Sequence, residues 1–375
     1  MALPSVLGSL LAVPLVATGV LIWMSTPTYP AGVPVAATPG SQRVPALILQ
    51  GPEGESQRRT LIRRAAFAYE AAPPQWPSLD VCWYVPSDPS GTTPKFDCAF
   101  ANGEVLKVKY GRGPEPHAEV ATTELLKEMG YAADHVTFTP RLRCYGCPRY
   151  PFVAMQIASR VRAVGLPSPS LLQEGYTDFE WVSVERRLEL RPIESTTAEG
   201  WAWWELRRST APRAELDAFR LLAVFLGHWD NKAANQRLVC RDDACMDAIA
   251  MIHDVGATFG PSKVNLSAWR REPIWADFQR CQISMGRLPF SGATFEDAIV
   301  SEEGRLLLLS RLERITEDEL RRIFTDARFP EFHSGTDDHR DLNAWIEAFQ
   351  HRVRQIQSAR CAQATTHSPR PTTLQ

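Results

Sequence analysis

Residues 226–240, LGHWDNKAANQRLVC, and residues 248–260, AIAMIHDVGATFG, decide how this chain is read. The first stretch closes an apolar helical run and enters a short strand. The second carries Asp254 after an apolar strand and before Val255-Gly256. Taken singly, an Asp near an Asn is ordinary, because both side chains cap and turn loops. Their order says more: Asp230, then Asn235 with four residues between, then Asp254 in an Asp-x-Gly turn. One carboxylate can meet an attacking hydroxyl, while an amide and a second carboxylate hold a cation against phosphate oxygens.

Such chemistry also needs a lysine on a strand and a glutamate on the helix that follows. Upstream, VCWYV, a run of turn formers PSDPSGTTP, KFDCAF, the turn Asn102-Gly103 and EVLKVKY predict three successive antiparallel strands. A helix follows, with Pro116 in its first turn, Ala118, Ala121, Leu125 and Met129 at helical spacing, and Gly130 at its stop. At about 100° per residue, Glu119 falls about 20° beyond the apolar arc and can lean into a cleft, whereas Glu124 lies on the solvated side. Lys107 and Lys109 share one strand face by the period of two, so the pattern does not choose between them.

The runs VKYG, EVATTELLKEMG, DNKAAN and HDVG resemble HipA-type kinases, and the secretory-pathway and phosphatidylinositol-kinase-like branches of the protein-kinase-like superfamily, over residues 81–259. The resemblance implies an α+β, two-lobed protein-kinase-like fold with a small β-rich lobe and a larger helical lobe. It implies ATP with Mg²⁺ or Mn²⁺ as cofactors. By position, Lys109 contacts the phosphates and Glu119 pairs with it; Asp230 is the catalytic aspartate, Asn235 and Asp254 hold metal, and Lys232 helps neutralise the transferred phosphoryl group. The chain departs from ordinary kinases in having no G-x-G-x-x-G loop, so the turn at Gly91, Thr92 and Thr93 is the expected cover for the phosphates. His228-Trp229-Asp230 stands where H-R-D would, and A-P-E is absent. The phosphoacceptor, whether protein, lipid, sugar or small molecule, is not inferable.

Length and composition agree with this plan. The chain has 375 residues and is 44% hydrophobic, enough for one large core or two lobes. Its 41 basic residues nearly balance 43 acidic ones without a long basic run, which removes electrostatic support for a nucleic-acid partner. Residues 2–24 are almost wholly apolar, and about 20 such residues at about 1.5 Å each cross a hydrocarbon core. They read as a signal sequence or membrane anchor, although no Lys or Arg precedes Arg43. The expected organisation is leader 1–24, Pro/Ala/Gly-rich linker 25–60, kinase-like domain 61–361 with its lobes meeting near residue 170, and tail 362–375. Amphipathic helices are expected in LDAFRLLAVFLGHW, SEEGRLLLLSRL, TEDELRRIF and DLNAWIEAFQHRVRQI.

Eight cysteines beside an apolar leader fit export or anchoring in an oxidising compartment, with a cytoplasmic face left open. Cys82 with Cys98, Cys144 with Cys147, Cys240 with Cys245 and Cys281 with Cys361 are the proposed disulfides. A zinc site from Cys144, Cys147, Cys240 and Cys245 is the alternative. Two other functions compete. One is an inactive kinase-like module that binds nucleotide or protein. The other is a metal phosphohydrolase built on His253-Asp254, against which the strand-like AIAMI and the glycines that follow both argue. Trp201, Trp203 and Trp204 are expected to pack lobe on lobe or to cover the cleft.

Overall fold

The computed structural model describes residues 44–70, 79–87, 91–167, 171–261, 264–288, 293–332 and 338–362. The expected leader and the tail beyond Ala362 lie outside these residues, as does the linker up to residue 43. Among the described residues no helix is long and apolar enough to cross a membrane.

The chain enters through β1 (Leu47–Leu49) and α1 (Gly51–Arg64). This corrects the expectation of linker to residue 60. The segment escapes a periodicity search because GPEGESQRRT is polar, and the helix is held by tertiary contacts at its far end. Leu61 and Ile62 are buried, and the buried Arg58 guanidinium bonds Glu205 at 2.7 Å and the Gly200 carbonyl at 3.2 Å. Gly54 lets α1 turn back on β1, because a Cβ there would sit 2.7 Å from the Leu49 carbonyl carbon.

The small lobe is a closed barrel. β2 (Val81–Val85), β3 (Lys95–Phe100) and β4 (Val105–Lys109) run antiparallel in succession, as the turn signals predict. After α2 (Glu115–Glu128), β5 (His135–Tyr145), α3 (Pro151–Ala163) and β6 (Tyr176–Arg186) complete it in the order β2-β3-β4-β6-β5. A parallel pairing of β2 with β5 closes the ring. The lobe boundary expected near residue 170 is therefore corrected to beyond Arg186: β6 pairs with β5 from Tyr145↔Tyr176 to His135↔Arg186, so it cannot be separated from the barrel. Tyr84, Phe96, Phe100, Val108, Leu142, Phe179 and Val182 fill the interior. α2 lies outside, with Leu125, Leu126 and Met129 in the main core.

β7 (Ile193–Ser195) pairs in parallel with β1 and leads into the large lobe. There α4 (Arg213–Leu226) is buried along its length, and β8 (Gln236–Cys240) and β9 (Ala248–Ile252) form a hairpin. α5 (Leu266–Arg271), the short pair β10 (Gln282–Ile283) and β11 (Ala298–Ile299), α6 (Glu302–Leu312), α7 (Glu317–Asp326) and α8 (Leu342–Ser358) follow. All four helices expected after the barrel are present. Trp201 and Trp203 are buried on Phe219 inside the large lobe rather than between the lobes, and Trp204 is exposed. Indoles of that size bury more area inside a helical core than at its edge.

Helix ends are specified locally. Ser301 and Asp341 cap α6 and α8, and Thr316 with Glu319 forms a reciprocal capping box on α7. Thr316→Ala leaves the Glu319 N–H of the first turn without its acceptor, and we expect a loss of about 1 kcal/mol in urea unfolding. The carboxyl end of α4 is held differently. Arg352 of α8, wholly buried, donates to the carbonyls of Val224, Phe225, Trp269 and Glu272. It thereby anchors the last turn before His228.

The four expected cysteine pairs are all present as disulfides. The zinc alternative is corrected, because Cys144 and Cys147 belong to the barrel core whereas Cys240 and Cys245 belong to the main core.

Candidate functional site

The strand lysine and the helix glutamate meet. Lys109, the last residue of β4, places Nζ 2.6 and 2.7 Å from the two carboxylate oxygens of Glu119, one turn into α2. Both side chains are almost fully buried, at 2% and 3% exposure. Burial would strip the charge from Lys109, but Glu119, Glu185, Asp254 and Glu115 outweigh it and push its pKa up. Burial raises Glu119 too, and Glu185 and Asp254 add to this while Lys109 opposes it. The site therefore holds more carboxylate charge than its buried lysine can match. Lys107, one strand period away, pairs with Glu185 at 2.9 Å, which separates the two lysines that the pattern left equivalent. From behind, α2 is pinned to the large lobe by Glu128 to Arg322 at 3.0 Å and by His117 Nδ1 to the Ala327 carbonyl at 2.8 Å.

The lower wall is built by the β8–β9 hairpin and the loop before it. α4 stops at Gly227, whose φ of 64° is left-handed, and the chain turns through buried His228 into Asp230. A short 3₁₀ turn, Ala233–Asn235, follows. The Asn235 amide nitrogen donates to the Asp230 carbonyl at 2.8 Å, and the His253 backbone N–H donates to the Asn235 carbonyl at 3.0 Å. These two bonds tie Asp230, Asn235 and the Asp254 turn into one unit. With its nitrogen engaged, Asn235 has its amide oxygen left to meet a cation. Lys232 is half-exposed and ion-pairs with Asp230 at 3.0 Å.

Asp254 has a φ of 51°, a left-handed conformation that Asp tolerates better than most residues. Its side chain is 44% exposed and lies 3.9 Å from Lys109 Nζ, the same ammonium that Glu119 holds. Burial raises its pKa, but Lys109, His253, Lys107 and Lys95 together bring it below the usual value. The residues of the two lobes thus converge.

Over this cleft lies the turn that opens β3. The Thr93 hydroxyl donates to the Glu115 carboxylate, and Glu115 in turn lies 3.9 Å from Lys109. Gly256 passes so close beneath that a Cβ would be 2.4 Å from Glu115 Cγ, which is the local reason for glycine in this Asp-x-Gly turn. Gly91 has a φ of 65°, and Lys95 Nζ lies 3.2 Å from where its Cβ would be. Thr92 lies in the same turn, between Gly91 and Thr93.

Sequence reasoning missed Lys95, Glu115 and Glu185. Lys95 is the cross-strand partner of Lys109. Burial, Lys109 and Lys107 lower its pKa, with Asp254 and Glu115 opposing. Alone among Lys95, Lys107, Lys109 and Lys232, it has no carboxylate within ion-pair distance among the described residues. Only the strand register could have exposed it.

His253 turns away from Asp254. Its Nδ1 lies 2.8 Å from Asp134 Oδ2, and Arg237 bonds both Asp134 and the imidazole. Asp134, Glu185 and His253 come close enough to share an ion, but Arg237 already pairs with Asp134 and Lys107 with Glu185. The His-Asp pair follows strand β9 and its two side chains serve different partners, which counts against the phosphohydrolase reading.

The described residues thus combine a barrel carrying a buried lysine–glutamate pair with a helical lobe carrying an Asp–Asn loop and an Asp-x-Gly turn, which is the two-lobed α+β plan expected from the sequence. No protein-family model and no curated protein matches the sequence. Among solved structures, the Helicobacter pylori proinflammatory kinase CtkA is similar at 13% identity and a TM-score of 0.41, over 76% of this chain and 100% of that one. The Golgi casein kinase is similar at 13% identity and a TM-score of 0.32, over 82% of this chain and 76% of that one.

Proposed function

We propose that the chain is an ATP- and metal-dependent phosphotransferase of the atypical kinase type, acting on a hydroxyl acceptor. The observation that carries this reading is the buried ammonium of Lys109, bonded to Glu119 at 2.6 Å and lying 3.9 Å from Asp254. In this reading Lys109 meets the inner phosphates, and Glu119 fixes its rotamer. Lys95, without a carboxylate at ion-pair distance among the described residues and beneath the turn at Gly91 to Thr93, contributes the cation that a glycine-rich loop would supply with backbone amides. Asp230 orients or deprotonates the acceptor hydroxyl, and Lys232 screens the charge that develops there.

Asn235 and Asp254 offer an amide oxygen and a carboxylate, which are hard oxygen donors suited to Mg²⁺ or Mn²⁺. The carboxylate excess around Lys109 supports the same assignment. A divalent ion held there supplies charge neutralisation for the phosphate oxygens. Four disulfides support an oxidising compartment as the place of action, exported or on the outer side of a membrane.

Titrating ATP by calorimetry with and without Mg²⁺ tests this. Metal is expected to tighten binding by at least about tenfold. Lys95→Met should weaken ATP while leaving adenosine unaffected. Absence of nucleotide binding overturns the reading, and binding without transfer to any hydroxyl acceptor selects the inactive binding module instead.

A further inference from the structure

Helix α3 is apolar on two opposite faces. Phe152, Met155 and Ala158 turn inward onto the barrel, and the Phe152 N–H donates to the Tyr110 hydroxyl at 3.1 Å. On the other face, Val153, Ile157 and Val164 recur at spacings of four and seven residues and are 49%, 51% and 71% exposed. Tyr150 precedes them at 59% and Leu166 follows at 58%. Scattered exposed apolar residues are ordinary on a soluble protein, but five on one helix and its two flanks form a patch. A surface helix normally turns its charged residues to that side.

The charges on α3 and its immediate flanks have one sign. Residues 141–173 contain Arg141, Arg143, Arg149, Arg160 and Arg162 and no Asp, Glu or Lys, in a chain whose net charge is −2. Asp178 and Glu180 of β6 stand opposite Arg143 and Arg141, and Glu174 follows the stretch, so Arg149 and Arg160 are the cations on which the patch depends. Arg149 reaches over Tyr150, and Arg160 is exposed beside the apolar stripe. At the same end of the barrel Tyr176, paired with Tyr145, is 52% exposed.

We propose that α3 docks the small lobe on an anionic lipid surface. Arginines flanking an apolar stripe suit a helix lying in the interfacial plane, with Val153, Ile157 and Val164 entering the acyl boundary and the guanidinium groups at the phosphates. Tyr150 and Tyr176 would sit at headgroup level, where tyrosine is enriched. A single-sign patch with a narrow apolar ridge fits a fluid sheet of phosphates better than a protein groove, which would present its own acids at fixed positions. The proposal does not depend on the phosphotransferase reading.

Flotation of the full chain with phosphatidylcholine vesicles, and with vesicles containing one part in three phosphatidylglycerol, tests it. Because residues 2–24 are themselves apolar, the readout is the excess on anionic over neutral vesicles. Each arginine at the surface adds about a fivefold factor, so an excess of at least about tenfold is expected, falling as salt is raised. Ile157→Glu, and separately Arg149→Glu with Arg160→Glu, should abolish the excess while unfolding midpoints stay put, since these side chains are exposed. Equal binding to both vesicles overturns the proposal, as does an excess that survives these substitutions. A protein partner captured through α3 by a chain that shows no anionic excess overturns it as well.

Discussion

Asp254→Asn is expected to lower phosphate transfer from labelled ATP by about 10²–10³-fold or more while leaving the unfolding midpoint nearly unchanged. The choice of asparagine matters because residue 254 has a φ of 51°. Asn enters that left-handed region about as readily as Asp, so this change removes the charge and keeps the turn. Asp254→Ala adds about 1–2 kcal/mol of backbone strain to the same loss of charge, and its lower stability would blur the reading. In the asparagine variant the metal-dependent part of ATP binding should vanish with turnover. Full turnover by this variant would rule Asp254 out as a metal ligand.

Lys109→Met is expected to abolish transfer and to cost about 3–5 kcal/mol in urea unfolding, because it leaves Glu119 buried without its cation. The double change Lys109→Met with Glu119→Leu separates the two effects. It removes both charges from a site where each side chain is almost fully buried, so most of the lost stability should return. Turnover should not return, since the phosphates still lack their ammonium. If the double variant is as unstable as the single one, the pair is not what holds β4 to α2. If it regains activity, Lys109 does not meet the nucleotide.

The parts of the candidate site that could be read from sequence are those built by local pairing. Asp230, Asn235 and Asp254 are assembled by one hairpin and the loop that feeds it, and the Asn235 side chain reaches the Asp230 carbonyl only five residues away. Glu119 was placed by helical phase alone. The choice between Lys107 and Lys109 was not available from pattern, because both project from one face of β4. It depends on Glu185 of β6, a strand reached only after α2, β5 and α3.

Lys95 shows the same limit at smaller scale. Asn102-Gly103 correctly marks a hairpin, but the Phe100 N–H bonds the Glu104 carbonyl, and Gly103 takes a φ of 86° at the end of a three-residue loop. That register sets Lys95 opposite Lys109. A tight two-residue turn would have set Lys95 opposite Tyr110 and given the face of Lys109 to Phe96. One residue of slip exchanges the faces of a strand, and the identities of the turn residues do not by themselves fix which loop forms.

Sequence alone determined what short-range physics controls: the three barrel strands up to β4, the phase of α2, and the capped helices α6, α7 and α8. Tertiary structure alone decided the closure of the barrel by β6, the folding of residues 47–64 onto β7 and Glu205, and the meeting of Lys109 with Asp254 across the two lobes. The division follows from range. Propensity, capping and alternation act within a few residues, whereas a buried ion pair or a closing strand is selected by the surface it can bury against segments distant in the chain.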